Sequence, residues 1–416
     1  MPQISSTAEL QARVQSDPGL PLAMGPSGVD RLLTLIRQHL DMELALVSEF
    51  TPDEQIIRRV DGEAKAFGLE EGTRTSLSET YCWRMTQGYL PSVVPNAKFV
   101  PQLRNLDWTW TADIGSYIGV PIRFRDGTVY GTLCCLSHET DLSLSDRDEQ
   151  FLYLCAHVMA QGIESERNER EVHESLTTRI REALESGRIG IVLQPIFDLH
   201  TFDIVGYEAL SRINDESPES WFAEAAEVGL DLDLERATKQ IALSHLEQLP
   251  SGTYLSLNLS PHAFGSPLLL DLFSGLGDRV VLELTEHEDV SDYQGLREGV
   301  RSLRERGTKL AVDDVGSGFA SLRHIVRLEP DILKLDVSLI RDIDATPRLR
   351  ALASSLVRFA EEVDAAVVAE GIESEAEALA LREVGVDYGQ GFYLGMPQKL
   401  EDLRGEGFLV QEEAWI

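Results

Sequence analysis

Six carboxylates, one amide and one ammonium group recur at comparable places in the second half of the chain, each near the end of a short apolar run. Glu208 follows IVGY, Asn258 lies in LSLNLS, Glu283 in VVLELTE, Asp313 and Asp314 close KLAVDD, Lys334 and Asp336 lie in ILKLD, and Glu370 ends VVAE. Carboxylates gathered in a dry cavity repel one another strongly at low dielectric, so such a cluster is expected to persist only if cations neutralise it. Oxygen-only ligands with a single amide suit Mg²⁺ or Mn²⁺, whereas Zn²⁺ prefers nitrogen and sulfur. The adjacent pair Asp313 and Asp314 suggests one bridging and one terminal ligand, as in a two-metal hydrolase.

Each piece alone is commonplace. An Asp-Asp pair is usually a helix cap or a solvated loop, and a single Glu or Lys in a strand is usually a surface position. What carries weight is their joint occurrence on successive apolar runs. Those runs (RIGIVLQPIFDL, FDIVGYEALSRI, YLSLNLS, VVLELTE, KLAVDDV, ILKLDVS, AAVVAEGIE and YGQGFYLG) alternate mainly with amphipathic stretches of helical length, which predicts a closed α/β barrel. The polar groups would then converge at the mouth formed by the strand ends. The first two runs are joined by a short turn around His200, too short for a crossover, so that pair is expected to be antiparallel.

The chain has 416 residues, more than one ordinary core accommodates, and its 43% hydrophobic and 26% charged composition is that of a folded globular protein. Against 70 Asp and Glu stand only 37 Lys and Arg, a formal charge of -33 that repels nucleic-acid backbones and anionic lipid surfaces. An anionic substrate would need local positive charge, which bound divalent cations would supply. No run approaches the roughly 18 apolar residues of a membrane-spanning helix, and MPQISSTAEL lacks the pattern of a signal peptide, so a cytoplasmic protein is expected.

In the first half, residues 28 to 40 carry apolar positions at helical spacing, ELALVSEF alternates as a strand, and YIGVPIRF and TVYGTLCCLS form a hairpin across Arg125-Asp126-Gly127. The polar stretch between, with Gly72, Gly88, Pro91, Pro95 and Pro101, reads as loops and short helices able to wall a pocket; Trp108 and Trp110 read first as core or rim aromatics and second as lining residues. A helix is expected from Ser145, with a Ser-x-x-Asp capping box, through the charged run ESERNERE to about Glu185. Cys82, Cys134, Cys135 and Cys155 lack metal-ligand spacing and read as reduced core thiols, with Cys134 and Cys135 facing opposite sides of their strand.

Two family resemblances overlie these readings. Residues from about 185 to 404 resemble the EAL domain of cyclic di-GMP phosphodiesterases through QPIFDL, YEALSR, NLS, ELTE, DDVGSGFASL, KLD, AEGIE and GQGFYLG in order. The first 165 residues resemble a GAF domain through GVPIRF and DGTVYGTLCCLS, preceded by IGSY. The expected division is therefore 1-165 GAF-like sensory domain, 166-184 helical linker and 185-416 EAL domain. The resemblance implies a modified (β/α)8 TIM-like barrel with one antiparallel strand behind an α+β GAF domain, two Mg²⁺ or Mn²⁺ ions, and hydrolysis of cyclic di-GMP to linear pGpG by a homodimer. By motif position Glu208, Asn258, Glu283 and Asp313 would hold one ion and Asp313, Asp314 and Glu370 the other. Lys334 would orient the attacking water, with Glu370 a candidate proton acceptor. Gln194, Leu210, Arg212, Glu373 and Gln390 would contact substrate, and Glu286 would anchor the loop DDVGSGFASL.

The loop departs from the family pattern at Val315, Ser317, Phe319 and Ala320, which loosens the expected coupling of dimerisation to turnover without removing a ligand. A non-catalytic cyclic di-GMP receptor that signals to a protein partner is the rival reading. Such receptors typically lack one or more of the acids, and here all six metal positions are filled.

Overall fold

A computed structural model describes residues 26–214, 216–284, 293–316 and 325–405. The chain divides into two compact units after Val172. No described helix is long and apolar enough to cross a membrane.

In the first unit an antiparallel sheet comprises β1 (Leu44–Phe50), β2 (Glu54–Gly62), β3 (Arg74–Ser76), β4 (Val93–Val94), β5 (Ser116–Arg123) and β6 (Val129–Ser137), in the order β3-β2-β1-β6-β5-β4. The expected β5–β6 hairpin is present, its turn closed by Gly127, whose φ of 87° lies in the left-handed region that glycine adopts without strain. One face of the sheet packs on the helix Pro26–His39 and on the start of the helix Asp146–Glu185, through Leu33, Ile36, Val47, Ile118, Cys135, Leu152 and Met159. The other face carries Leu46, Phe67, Tyr81, Cys82, Tyr117 and Cys134. Cys134 and Cys135 thus face opposite layers, as period-two alternation requires. β2 was not among the strands expected from the sequence. Arg58 is an extra residue against β1, where the register shifts between Val47 and Ser48, and this bulge breaks the alternation.

The helix Asp146–Glu185 runs for 40 residues without Gly or Pro beyond Gly162. At its start the Asp148 carboxylate accepts from the Ser145 N–H and hydroxyl, both at 2.8 Å. This is the half of a capping box in which the third helical residue reaches back.

The second unit is a closed barrel of β7 (Ile189–Asp198), β8 (Ile204–Ile213), β9 (Tyr254–Leu259), β10 (Val280–Leu284), β11 (Lys309–Val315), β12 (Ile332–Leu335), β13 (Ala366–Ala369) and β14 (Tyr388–Gly389). β7 pairs antiparallel with both β8 and β14, and the other pairs are parallel. The β7–β8 turn is fixed by Asp198, whose Oδ1 accepts from the N–H groups of His200 and Thr201. Helices Asp231–Ser244, Tyr293–Arg304, Pro347–Glu362 and Glu375–Glu383 carry apolar residues into the surrounding layer.

Inside the barrel, Ile196, Val281, Ala311, Ile332 and Val368 form an apolar plug. Two residues further along four of these strands stand Glu283, Asp313, Lys334 and Glu370. Since side chains two apart on a strand share a face, the plug dictates that the next layer inward is polar and charged.

Candidate active site

Lys334 occupies the middle of this charged layer. It is 1% exposed, and its Nζ lies 2.6 Å from Glu370 Oε1, 2.7 Å from Glu283 Oε2, 3.3 Å from Asp313 Oδ1 and 3.5 Å from Glu208 Oε2. To the bound cations expected from the sequence the structure adds an internal one. Lys334 supplies one internal positive charge, although four carboxylates against one ammonium leave an excess that water screens only in part.

The remaining acid contacts are satisfied by neutral donors. Asn258 Nδ2 donates to Glu208 Oε1 at 2.9 Å, Gln390 Nε2 to Glu208 Oε2 at 2.5 Å and to Glu370 Oε1 at 3.4 Å, and the Ser256 hydroxyl to Glu283 Oε1 at 2.5 Å. Ser256 was not singled out from the sequence. Its signal is its place two residues before Asn258 on β9, hence on the same inward face.

Asp313 and Asp314 are neighbours in a strand, and regular alternation would send them to opposite faces. A bulge prevents this: Val312 pairs with Leu333 and Val315 with Leu335, so both aspartates stand opposite Lys334 alone. Asp314 takes a φ of 55°, a left-handed conformation that aspartate tolerates better than most residues, and its N–H donates to Asp313 Oδ1 at 2.9 Å. Gly316 follows with a φ of 113°, and a Cβ there would stand 2.4 Å from Leu339 Cδ1. The outcome is that oxygens of Asp313, Asp314 and Glu370 lie within 4.8 Å of one another.

That trio is the ligand set the resemblance assigns to the second ion, and its oxygen-only chemistry fits a hard divalent cation. Of the set assigned to the first ion, Glu208, Glu283 and Asp313 are gathered around Lys334, and Asn258 is bonded to Glu208. The ammonium and an ion would share oxygens there, so loading requires these contacts to redistribute. Gln390 Oε1 is buried without a hydrogen-bond partner, a vacant acceptor in the same ring.

The outer residues are dispersed. Gln194, on β7 opposite Glu208, donates to the Gly395 carbonyl at 3.2 Å; Leu210 is half-buried on β8. Arg212 Nη1 donates to the Ser211 carbonyl at 2.8 Å, and the residue lines a groove of about 820 Å³ with Arg188 and Lys399. Glu373 is turned outward to a bidentate pair with Arg341, which holds its carboxyl below the usual range. Asp336 does not join the ring; it caps the helix Val337–Ile340, accepting from Ser338 N–H at 3.0 Å. Val315 is fully buried behind the bulge. Glu286, Ser317, Phe319 and Ala320 lie outside the described residues.

Burial and the neighbouring Glu208 charge push the Glu283 carboxyl up to about 8 against the pull of Lys334. Burial likewise drives Glu370 well above its ordinary value. For Glu208 burial also acts upward, but Lys334 and the two amide donors outweigh it and the net shift is downward. Without ions, protons on Glu283 and Glu370 therefore relieve the excess charge. A carboxyl whose folded pKa is raised contributes stability that is complete below its unfolded value, here 4.5, and is lost as pH rises through its folded value. The ion-free protein is accordingly expected to lose roughly 5 °C or more of melting temperature between pH 5 and pH 8.5. Ligation demands deprotonated carboxylates, so the stabilisation by Mn²⁺ should be larger at pH 8.5 than at pH 6. Differential scanning fluorimetry with chelator and with Mn²⁺ checks both; an equal Mn²⁺ shift at the two pH values contradicts this reading of the ring.

The family model of the EAL domain matches residues 177–397, and that of the GAF domain residues 28–163. The chain is 29% identical over 256 residues to the cyclic di-GMP phosphodiesterase PdeF of Escherichia coli, an alignment covering 58% of this chain and 34% of PdeF. It thus spans about a third of the length of that relative. An EAL domain protein from Listeria monocytogenes superposes with a TM-score of 0.51 at 24% identity, over 56% of this chain and 98% of the other. The EAL domain of FimX from Xanthomonas citri, solved in complex with c-diGMP, gives 0.50 at 22% identity over 56% and 97%. These two likenesses establish the shared barrel fold.

Proposed function

The chain belongs to the EAL domain family and carries a GAF domain ahead of that barrel, and from this premise we propose that it is a metal-dependent phosphodiesterase hydrolysing cyclic di-GMP to linear pGpG. The observation that carries the reading is the inward ring of Glu208, Glu283, Asp313 and Glu370 around Lys334, with Asp313, Asp314 and Glu370 close enough to share an ion. Two bound Mg²⁺ or Mn²⁺ ions would supply charge neutralisation for the phosphoryl oxygens and an acidified water.

The protein's own contribution is positioning. Glu208, Asn258, Glu283 and Asp313 would hold one ion, and Asp313, Asp314 and Glu370 would hold the other. Lys334, in contact with both Glu283 and Glu370, orients the water that attacks phosphorus in this reading, and Glu370 is the candidate acceptor of its proton. Gln390 directs its vacant amide oxygen to substrate or water. Gln194, Leu210, Arg212 and Glu373 bind the nucleotide, with Glu373 first exchanging Arg341 for its new partner. The reading extends to a cytoplasmic homodimer whose turnover the GAF unit regulates.

Incubation with cyclic di-GMP and Mn²⁺ followed by chromatography is expected to yield pGpG. With Ca²⁺ substituted, binding should persist with little cleavage, because the larger ion tolerates irregular coordination but activates water less well. Binding without product in Mn²⁺ and in Mg²⁺ would instead establish a receptor.

A further inference from the structure

The face of the first unit's sheet that carries Cys134 walls a cavity of about 540 Å³, lined by Gln55, Cys82, Trp108, Tyr117 and Cys134 among others. Exposed Glu79, Asn105 and Asp107 also border it, so it opens to solvent at that end. Trp108 is half-buried there, with its Nε1 bonded to the Phe67 carbonyl, whereas Trp110 is exposed and takes no part. In the cavity wall the Sγ atoms of Cys82, on the helix Tyr81–Thr86, and Cys134, on β6, stand 3.4 Å apart, both free and both buried. The Tyr117 hydroxyl points at Cys82 Sγ from 4.0 Å, and Gln55 Oε1 is buried without a partner.

From this arrangement we infer that Cys82 and Cys134 are a redox-active dithiol, oxidised to a disulfide by a neutral hydroperoxide admitted through the cavity. A disulfide needs sulfurs about 2.05 Å apart, so closure asks for a movement of roughly 1.4 Å, within reach of side-chain rotation. The two thiols are unequal. The hydrogen bond from Cys134, helped by Thr132, Gln55 and Tyr117 against the opposing effect of burial, brings Cys82 down to about 7, while Cys134 is driven well above the ordinary range. Cys82, the less enclosed of the two and the one the Tyr117 hydroxyl faces, takes the role of attacking thiolate, and Cys134 that of resolving thiol.

The chemistry balances. Cys82 sulfur attacks the terminal peroxide oxygen, the O–O bond breaks, and the alkoxide leaves as an alcohol with a proton, giving a sulfenic acid. Cys134 sulfur then attacks Cys82 sulfur with loss of its proton; the S–S bond forms, the S–O bond breaks, and water leaves. Two thiols are oxidised by two electrons and one hydroperoxide is reduced to alcohol and water. Glu79 and Asp107 at the opening disfavour anionic oxidants, and the Trp108 wall accommodates an alkyl group.

Cys135 and Cys155, on the opposite face and raised by burial, are internal controls. The test treats the full chain at pH 7 with stoichiometric cumene hydroperoxide or hydrogen peroxide, blocks free thiols, and maps non-reduced peptides by mass spectrometry. A Cys82–Cys134 linkage is expected, forming at least about ten-fold faster than any modification of Cys155. Cys134→Ser should accumulate a dimedone-reactive sulfenic acid at Cys82; Cys82→Ser should leave Cys134 reduced; Cys135→Ser should change nothing. Alkylation of Cys82 should titrate near pH 7. A folded protein that forms neither linkage nor adduct, or that oxidises Cys155 as readily, overturns the inference. Direct progression of Cys82 to sulfinic acid in the wild-type chain overturns the resolving role of Cys134. None of these readouts depends on phosphodiesterase activity, so the inference stands or falls apart from that reading.

Discussion

Glu208→Ala is expected to lower turnover of cyclic di-GMP by about 10³-fold or more, since a lost ion ligand forfeits several kcal/mol of transition-state charge stabilisation. The effect should exceed that of deleting an ordinary ligand because Glu208 does three things. It pairs with Lys334 and accepts from Asn258 and from Gln390, so its removal frees two amides and loosens the ring as well as the ion. Divalent-ion affinity, followed by titration calorimetry, should fall in parallel. The fold should persist, because the plug beneath the ring and the outer layer are apolar and untouched. A variant with wild-type turnover would show that the ring is not the reaction centre.

Lys334→Met tests the electrostatics. Removing one partner from a buried ion cluster typically costs about 3–5 kcal/mol, and here four carboxylates would be left without their internal cation. The ion-free variant should therefore melt well below the wild type at pH 8.5. At pH 5 the difference should narrow, because protons on Glu283 and Glu370 do part of the same work. Mn²⁺ should raise the melting temperature of the variant more than that of the wild type, as the ion takes over the missing charge. Turnover should still fall by roughly 10²–10⁴-fold, the range for losing a group that handles the proton or orients the water. A variant whose ion-free stability is independent of pH, or whose response to Mn²⁺ is smaller than wild type, would contradict the role given to Lys334.

The plug and ring explain why so much of the barrel was readable. Val281 and Glu283, Ala311 and Asp313, Ile332 and Lys334, Val368 and Glu370 each repeat the same pattern, an apolar inward residue followed two positions later by a charged one. That pattern is local, and so is the short β7–β8 turn that forces an antiparallel pair. β2 escaped because its bulge at Arg58 interrupts alternation. Asp336 was grouped with the acids because it too follows an apolar run. Yet β12 ends at Leu335, and the next residue begins a helix that uses its carboxylate as a cap. Glu373 and Arg341 are 32 positions apart, and no local signal announces their pairing.

What the sequence alone determined is the order of strands and helices in the barrel and most of its inward charged residues, because side-chain periodicity is set by backbone geometry over a few residues; the resemblance of its ordered motifs supplied the family. Which groups meet was decided by the closed barrel and the sheet. Lys334 finds acids from as far away as Glu208, the bulge turns Asp313 and Asp314 to one side, and Cys82 reaches Cys134 across 52 positions. Contacts of that kind depend on how strands close and where a ladder slips, and those are settled by packing over the whole unit.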